Sequence, residues 1–404
     1  MQKLKFALVG AGGFGAYYID TYFHVVNREI CELVGIIDPF ASKSTNYPKI
    51  LENQIPVYDT LEQFYVNHTA DLVVISTPIS LHESQCITAL RNNSHVLCEK
   101  PTAATVDQAI NMQKVASQYG KHLFIGFQLC FSQSILNLKK DILSGRFGKL
   151  KKLKSLVLFP RDWNYFKRNN WAGKIKGDDG QLVLDSVISN GTAHYLHNLL
   201  FLMGSEMGTS SMPEKIKGSC YRANEIESFD TCVLKAYFEN AVELLYVTSH
   251  CTDETVDPCF ELEFEHATVK YNKEEVEEFV AYEHNGEIVK YGNPFAKEER
   301  SVKFISTIDW LIDQENNERP CCEVETTLPF LTITNGLFQF LPIYSFSKED
   351  IVADHDLNRT YVKGLGEKLI QCYRDNKLLS EIDTVTSKPE IEFSLVGYHG
   401  YRMN

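Results

Sequence analysis

The stretch FALVGAGGFGAYYID, residues 6–20, contains the clearest structural pattern of the chain. Its apolar beginning is typical of a short buried strand, and the residues after Gly15 have the length and character of a helix. Gly10, Gly12 and Gly15 form a G-x-G-x-x-G pattern at the turn, where N–H groups and the helix dipole can bind a pyrophosphate. Gly10 permits the tight turn, Gly12 lets the backbone approach the phosphates, and Gly15 lets helix and strand pack closely. We therefore expect a dinucleotide site here.

A second strand, ELVGIID, ends on Asp38, about 20 residues beyond Gly15, as expected for a ribose-binding carboxylate. A carboxylate there accepts hydrogen bonds from the adenosine ribose and repels a 2′-phosphate. NAD is therefore the favoured cofactor, with NADP as the alternative because Lys43 lies nearby. The alternative interpretation is that Asp38 is an ordinary turn residue before Pro39, without a role in cofactor binding.

Strands continue to alternate with helices up to about residue 127. DLVVIST (71–77), HVLCE (95–99) and HLFIGF (122–127) are predicted strands, and helical stretches separate them. This alternation is typical of a parallel, doubly wound sheet.

Length and composition limit the class of protein. A chain of 404 residues with 44% hydrophobic and 12% aromatic residues predicts two folded domains. The formal charge of −13 argues against nucleic-acid and anionic-membrane partners.

Other sequence features bear on location and on metals. The lysines before the first apolar run resemble a signal peptide, but the run is short and broken by glycines. No stretch approaches 18 apolar residues, so no membrane span is expected. The 11 cysteines are irregularly spaced, with Cys321 and Cys322 adjacent, which favours reduced thiols and a cytoplasmic protein. No metal-ligand spacing such as H-E-x-x-H occurs, so we expect no metal site.

The segment CEKPTA (98–103) follows the predicted strand at 95–99. Ligands of open α/β sheets bind beyond the carboxyl ends of the strands, and Lys100 is placed there, in a turn stiffened by Pro101. A solvated lysine paired with Glu99 is the structural alternative.

With these segments the chain resembles the glucose-fructose oxidoreductase / inositol dehydrogenase / rhizopine catabolism (Gfo/Idh/MocA) family. The matching segments are GAGGFG (10–15), the strand end at Asp38, STP-x-x-x-H (76–82), HVLCEKP (95–101), G-RFGKL (145–150) and the region around His194. The resemblance implies NAD(P)-dependent oxidation or reduction of sugars, polyols or related compounds. It also implies an N-terminal Rossmann domain followed by an α/β domain built on a large, mostly antiparallel open sheet.

The resemblance also implies roles for individual residues. Lys100 is expected near the nicotinamide and the reacting hydroxyl, as a catalytic residue. The expected cofactor-binding residues are Gly10, Gly12, Gly13, Phe14, Gly15, Asp38, Thr77, Pro78, His82, Glu99 and Lys100.

The segment FPRDWNYFKRNNWAGKIKGDDG (159–180) mixes cationic and aromatic residues after a predicted strand. Aromatic rings stack on pyranose faces, and arginines form hydrogen bonds with sugar hydroxyl groups. The predicted substrate contacts are therefore Arg161, Tyr165, Trp171 and Lys174. A lid or interface loop without substrate contact is the alternative.

A helix is predicted from Thr192, within VLDSVISNGTAHYLHNLLFLMG (183–204). His194 and Asn198 are four residues apart and share a face, and a histidine of near-neutral pKa suits a general base. Packing without a chemical role is the alternative for each histidine of this helix.

The family pattern in this region is approximately D-x-G-x-H-x-x-D, and His194 matches its histidine. Asn190 replaces the first Asp and His197 the last. Because an Asn cannot accept the proton, the Asp–His partnership is in doubt, and Asp185 is the candidate to compensate. Asn190 is expected at the chemistry, and Asp185 and His197 at the substrate.

Alternating strand-like runs at 215–292 predict an antiparallel sheet, through which we expect a homodimer or homotetramer. Helices are predicted at 298–314, 324–341 and 361–381. The predicted domains are 1–126, binding NAD(P), and 127–404, binding substrate. Helices near 324–341 and 361–380 are expected to pack back on the first domain.

The leading hypothesis is hydride transfer between nicotinamide and a sugar, sugar derivative or polyol. Lys100 would polarise the oxygen and His194 would handle its proton. Redox-neutral, NAD-dependent glycoside cleavage is the second hypothesis, and a catalytically inactive dinucleotide-sensing protein is the third.

Overall fold

A computed structural model describes residues 3–383 and 387–402. The strands are β1 (Leu4–Val9), β2 (Cys31–Ile37), β3 (Val57–Tyr58), β4 (Leu72–Ile75), β5 (His95–Cys98), β6 (Leu123–Ile125), β7 (Leu150–Leu158), β8 (Lys215–Arg222), β9 (Thr231–Tyr237), β10 (Glu243–Ser249), β11 (Val256–Phe264), β12 (Ala267–Asn272), β13 (Val276–Glu283), β14 (Ile288–Gly292), β15 (Ile343–Ser345), β16 (Ile351–Asp354), β17 (Arg359–Val362) and β18 (Ile391–Ser394). The helices are α1 (Phe14–His24), α2 (Tyr47–Glu52), α3 (Leu61–Asn67), α4 (Ile79–Arg91), α5 (Val106–Gln118), α6 (Gln133–Leu143), α7 (Trp163–Lys167), α8 (Ala193–Leu202), α9 (Glu299–Ile312), α10 (Val324–Phe340), α11 (Leu365–Asp375) and α12 (Leu379–Ile382).

The chain divides into two units, each made of two chain segments. The first comprises residues 1–132 and 295–327, and the second comprises residues 133–294 and 328–404. Among the helices of the described residues, none has the length and apolar character needed to cross a bilayer.

The first unit is built on a parallel six-stranded sheet of order β3-β2-β1-β4-β5-β6. Its central strand β4 is buried along its whole length and β1 at every residue except Lys5, as expected where helices cover both faces. The strand order reverses between β1 and β4, and the crevice at such a point is where doubly wound sheets bind ligands. The predicted Rossmann fold is confirmed.

Helix α9 belongs to this first unit, although the predicted boundary at 126/127 assigned it to the second domain. The physical reason is aromatic packing. The ring of Phe304 lies 5.2 Å from that of Phe6 in β1 and 5.2 Å from that of Tyr18 in α1.

The second unit is built on a ten-stranded sheet, predominantly antiparallel, in which β14-β13-β12-β11-β7-β10-β9-β8-β15 lie side by side and β18 also pairs with β8. The pair β7–β10 is parallel, so the carboxyl ends of both strands lie at one edge. The predicted large, mostly antiparallel sheet is confirmed. Within the strand-like region 215–292, the strands β11 and β12 form a hairpin that turns at Glu265 and His266.

Helix α11 belongs to the second unit and packs on this sheet, whereas residues 361–380 were expected to pack back on the first domain. Leu369 and Cys372 of α11 lie in one hydrophobic cluster with Leu158 and Leu245 of the sheet. The predicted helix at 361–381 is also broken. Its first residues belong to the β16–β17 hairpin, and the remainder forms α11 and α12.

The cysteines are consistent with the expected reduced thiols. Among the described residues they form no disulfide bond, and all of them except Cys321 are buried.

Candidate active site

The glycine turn connects β1 to α1 at the carboxyl edge of the parallel sheet. A methyl group added at Gly12 or Gly13 would meet no atom within 4 Å, so this side of the turn has room for a ligand. At Gly15 the same methyl would lie 1.9 Å from the carbonyl oxygen of Gly10, which shows how closely helix and strand pack. These are the two properties that a pyrophosphate-binding turn requires.

Asp38 is half-buried at the end of β2 and contacts the glycine turn. Its Oδ2 accepts a hydrogen bond from the Ala11 N–H at 2.8 Å, and its Oδ1 accepts one from the Phe40 N–H at 2.8 Å. Each carboxylate oxygen has a further lone pair, so Asp38 can still accept a hydrogen bond from a ribose hydroxyl group. The Lys43 ammonium lies over the Phe40 ring, 4.8 Å from its centroid.

The strands β4 and β5 bring further predicted residues to the same edge. Thr77 and Pro78 follow β4, and the Thr77 hydroxyl donates to the side chain of Gln85. His82, in α4, is buried, and its ring nitrogens lie 2.9 Å from the Pro101 oxygen and 3.0 Å from the Thr77 oxygen. His82 therefore joins the ends of the two strands and does not point to a cofactor.

Two carbonyl oxygens around one imidazole favour a ring that donates from both nitrogens. Burial by itself would lower the pKa of His82, but the Cys98 sulfur and the carbonyls of Thr77 and Pro101 raise it to about 9. The ring therefore holds its second proton more strongly than a free imidazole does.

Lys100 is half-buried directly after β5, as predicted, but the preceding residue has a role that the sequence did not suggest. The Glu99 carboxylate is buried, accepts a hydrogen bond from the Tyr18 hydroxyl at 2.7 Å and forms an ion pair with Lys303 of α9. Burial would raise the pKa of Glu99, but Lys303 and the Tyr18 hydrogen bond keep it below its usual value. Glu99 thus fixes the backbone before Lys100 and is not exposed to a cofactor.

The Lys303 ammonium also lies 4.3 Å from the centroid of the Phe14 ring, within cation–π range. Phe14 begins α1, so Lys303 links the start of this helix to the end of β5. The only sequence signal for Lys303 is a lysine among apolar residues of a predicted helix, which is too common to be informative.

In the second unit, the parallel pair β7–β10 places Arg161 beside His250. The Phe159 N–H donates to the Ser249 oxygen at 2.9 Å, and the Arg161 N–H donates to the His250 oxygen at 3.0 Å. His250 was missed in the sequence, although it directly follows β10. The parallel pairing could not be predicted, because these strands are separated by β8 and β9.

His250 is buried, and its Nδ1 lies 2.8 Å from the Phe159 carbonyl oxygen, to which it donates. Its Nε2 is buried without a hydrogen-bond partner among the described residues. This nitrogen lies only 2.2 Å from the position of a Cβ atom added to Gly191. Burial, together with the Arg161 cation, lowers the pKa of His250 to about 3, so the ring is neutral.

Tyr165 occupies the centre of this group. Its ring lies 5.6 Å from that of His250, with the Arg161 and Arg168 guanidinium groups 4.7 and 3.8 Å from its centroid. Burial raises the pKa of the Tyr165 phenol, and the Asp185 carboxylate adds to the shift. Of the other predicted contacts, Trp171 is half-buried, and the Lys174 ammonium is paired with Asp178 at 2.6 Å.

Asp185, the predicted candidate to compensate for Asn190, is in contact with it. The Asn190 Nδ2 donates to Asp185 Oδ1 at 2.9 Å, and the Gly173 N–H donates to Asp185 Oδ2 at 2.6 Å. Asp185 follows Leu184, whose φ of 51° is unfavourable for a residue with a side chain. One buried carboxylate therefore ties the aromatic loop to the segment before α8.

This segment, Val187–Gly191, is a π-helical turn, and α8 begins at Ala193, one residue after the predicted start at Thr192. One more residue separates Gly191 from His194 than the family pattern has, and the wider turn accommodates it. Counted from Gly191, Ser189 and not Asn190 takes the place of the family Asp. The Ser189 hydroxyl is buried and donates to the Leu184 oxygen at 2.6 Å.

The structure separates the two histidines of α8. His194 is half-buried in the first turn of α8. His197 is fully buried, with its ring stacked on Phe201 and edge-on to Phe330. His197 therefore packs in the interior, and its expected substrate contact is not supported.

Comparisons with known proteins identify the first unit. Residues 4–127 match the family described as "Oxidoreductase family, NAD-binding Rossmann fold" (GFO_IDH_MocA). The rhizopine catabolism protein MocA of Rhizobium meliloti is 29% identical over 150 residues, which cover 37% of this chain and 45% of that protein. The inositol 2-dehydrogenase of Corynebacterium glutamicum (strain R) is 28% identical over 159 residues, which cover 38% of this chain and 45% of that enzyme. The chain is thus matched to about half the length of these relatives.

Solved structures resemble the chain over most of its length. The WlbA dehydrogenase from Bordetella pertussis, solved with NADH and UDP-GlcNAcA, has a TM-score of 0.66 at 22% identity, covering 83% of this chain and 96% of that one. At this identity the similarity establishes the fold of both units. The match of residues 4–127 shows that the first unit carries the NAD-binding Rossmann domain of the Gfo/Idh/MocA oxidoreductase family.

Proposed function

We propose that the protein is an NAD(P)-dependent oxidoreductase that transfers hydride between nicotinamide and a hydroxyl or carbonyl group of a sugar, sugar derivative or polyol. The observation that carries the proposal is the open glycine turn of an NAD-binding domain at the same sheet edge as Lys100. The matched relative that acts on inositol supports a polyol-like substrate.

The residues of the first unit fit a dinucleotide. Gly12 and Gly13 leave space at the start of an eleven-residue helix, whose N–H groups and dipole favour a pyrophosphate. Asp38 lies where a ribose carboxylate belongs and favours NAD over NADP. When bound, the nicotinamide supplies the hydride chemistry, and the chain supplies binding, orientation and proton transfer.

Lys100 and His194 are the proposed catalytic residues. The Lys100 ammonium stabilises negative charge on the reacting oxygen, and the His194 imidazole takes or returns the hydroxyl proton. Asn190, held by Asp185, orients the substrate as a hydrogen-bond donor or acceptor. Glu99 and Lys303 act as positioning residues for the backbone that presents Lys100.

The test is a screen of the protein with NAD and NADP against free sugars, polyols and chromogenic glycosides, following NADH absorbance and aglycone release together. We expect net NADH formation that falls at least about 100-fold in Lys100→Met and in His194→Ala. Lys114→Met, at an exposed position of α5, is the matched control and should retain activity. Unchanged NADH formation in Lys100→Met would contradict the proposed role.

Redox-neutral glycoside cleavage with bound NAD is the second candidate. It is supported by the departure at Asn190 and Ser189 from the family Asp, and the same screen tests it. Aglycone release that requires NAD without NADH accumulation would replace the leading proposal. Tight NADH binding with no turnover, and no effect of Lys100→Ala beyond cofactor affinity, would indicate the sensing protein.

We further propose a cytoplasmic homodimer or homotetramer that assembles through the large sheet. Helix α11 covers the β7–β10 part of one sheet face, which leaves the strands β11–β14 as the contact region. Light scattering of the purified protein measures the assembly, and a monomer at micromolar concentration would contradict it.

A further inference from the structure

An open cavity of about 330 Å³ lies beside the segment that follows β7, within the second unit. Its lining is polar and predominantly cationic. The lining residues are Pro160, Arg161, Asp162, Tyr165, Leu357 and Arg359.

Backbone pairing brings the two arginines together from distant parts of the chain. Asp162 and Arg359 form an antiparallel β-bridge, which joins the segment after β7 to the hairpin of β16 and β17. The Trp163 N–H donates to the Asn358 oxygen at 2.8 Å, and its indole Nε1 donates to the Thr360 hydroxyl at 2.9 Å. The positions of the arginines are therefore set by the main chain, before any ligand binds.

Both guanidinium groups have unused hydrogen-bonding capacity. The Nε atoms of Arg161 and Arg359 are buried and lack a hydrogen-bond partner within the described residues. The Arg359 Nη2 donates to the Asp253 oxygen at 2.6 Å. A planar guanidinium offers five donors arranged to match a carboxylate or phosphate.

No carboxylate of the described residues forms an ion pair with either arginine. Asp162 lines the same cavity, but its Oδ1 accepts the Tyr165 N–H at 2.8 Å, as the N-cap of α7. Two arginines against one carboxylate give the cavity a net positive charge. Because both arginines line this cavity, an anionic group bound there would accept charge-assisted hydrogen bonds from their guanidinium groups.

The cavity adjoins the candidate active site of this unit through Tyr165. The Tyr165 hydroxyl lies 3.5 Å from the position of a Cβ atom on Gly191, in the π-helical turn that precedes His194. A ligand held by the arginines would thus reach the residues around α8.

We propose that Arg161 and Arg359 bind a carboxylate or phosphate group of the substrate, which makes the protein selective for acidic sugars. The inference deepens the proposed function and rests on it, because it adds a charged group to the sugar. The aromatic ring of Tyr165 holds Arg161 in place by cation–π contact.

The test is calorimetric binding of inorganic phosphate, D-glucuronate, glucose 6-phosphate and D-glucose to the full chain with NADH present. We expect Arg359→Gln and Arg161→Gln to weaken binding of an anionic probe at least tenfold and to leave D-glucose unchanged. Arg374→Gln, at an exposed position of α11, is the matched control and should bind as the wild type does. Circular dichroism verifies that each variant is folded. Arg359→Lys keeps the positive charge but loses the planar guanidinium group, so it should show an intermediate loss of affinity for the anionic probe.

If the arginine variants weaken binding of glucuronate alone, the group recognised is a carboxylate. If they weaken binding of glucose 6-phosphate alone, it is a phosphate. Either result supports the proposal. Equal binding of acidic and neutral probes by the wild type, or the same affinities in wild type and both arginine variants, overturns it. Because binding is measured without turnover, arginine-dependent anion binding with no NADH formation from any sugar would contradict the proposed function alone.

Discussion

At the scale of single residues, the buried Glu99 carboxylate determines much of the stability of the first unit. It is enclosed by Tyr18, Lys303 and the Gly126 region, where an added methyl at Gly126 would lie 3.2 Å from its carboxylate. Removing one partner of a buried ion pair destabilises a protein by far more than the intact pair stabilises it, because the remaining charge is left buried without compensation.

Replacing Lys303 by Met should therefore lower the free energy of unfolding by about 3–5 kcal/mol, because it leaves Glu99 buried and uncompensated. Urea denaturation followed by fluorescence measures the change. Lys290→Met is the matched control, because Lys290 pairs with Glu278 at an exposed position, where ion pairs contribute little. The double variant Lys303→Met, Glu99→Gln should recover part of the loss, and failure to recover any would contradict the ion-pair explanation.

Residue roles were predictable where a local pattern carried them and not where partners are distant in sequence. Asp185 was identified as a candidate because it lies five residues before Asn190, and the two side chains are in contact. The partner of Glu99 lies 204 residues further along the chain, and no local pattern indicates it. His250 was missed for the same reason, since only strand pairing brings it beside Arg161.

At the scale of elements, the glycine turn meets two requirements, close packing of helix on strand and space for a ligand, and different glycines meet them. Gly15 is needed for packing of α1 on β1, whereas Gly12 faces open space. The two glycines should therefore respond differently to the same added methyl group.

Gly15→Ala should lower the free energy of unfolding by about 3 kcal/mol or more, because its Cβ would collide with the Gly10 carbonyl. Gly12→Ala should leave stability within about 0.5 kcal/mol but weaken NADH binding about tenfold, because the methyl occupies the approach of the phosphates. Thermal denaturation and NADH fluorescence titration measure the two effects. Equal loss of stability in both variants would show that the turn is packed on both sides.

The junction of β4 and β5 should be sensitive to alkaline pH through His82. Its pKa is raised to about 9 from an unfolded value near 6.5, so its contribution to stability is complete below about pH 6.5 and is lost as pH rises through 9. A shift of this size corresponds to roughly 3 kcal/mol at most. Urea denaturation at pH 6.5 and pH 9.5 should show a larger pH dependence for wild type than for His82→Gln. Identical slopes, or an imidazole titration near 6.5 by NMR, would contradict a charged His82.

At the scale of the whole molecule, the C-terminal segment completes the second unit. Helices α11 and α12 cover Leu156, Leu245 and Val247 of the large sheet, and the β16–β17 hairpin encloses the segment after β7. Sheet faces left bare would expose a large apolar area to water.

Leu369→Ala should therefore lower the free energy of unfolding of the second unit by about 2–5 kcal/mol, since the side chain is fully buried against the sheet. Hydrogen exchange resolved by peptide should show faster exchange in β7 and β10 and unchanged exchange in β1 and β4. Leu357→Ala, at the exposed tip of the hairpin, is the control and should have no effect. Uniformly faster exchange in both units would indicate that they unfold together.

The fold class of both units was predictable, because strand and helix periods and turn residues are local properties of the sequence. The organisation of the chain was not. Helix α9 joins the first unit and α11 the second through side-chain packing over long separations, and the β16–β17 hairpin is too short and polar to stand out. Local patterns indicated the glycine turn and the position of Lys100, and the family resemblance implied the roles of Lys100 and His194, whereas no pattern in the sequence pointed to Arg359.

The pairing of Glu99 with Lys303 also bears on how the protein is made. Domains of a growing chain fold from the N-terminus onward, as soon as all their residues have left the ribosome. The NAD-binding unit cannot do so after its first 132 residues, because α9, with Lys303 and Phe304, is still to be translated. Most of the second unit is synthesised in the meantime. During that interval Glu99 lacks Lys303, and the apolar surface of β1 and α1 lacks Phe304, so the nascent Rossmann unit exposes the kind of surface that promotes aggregation.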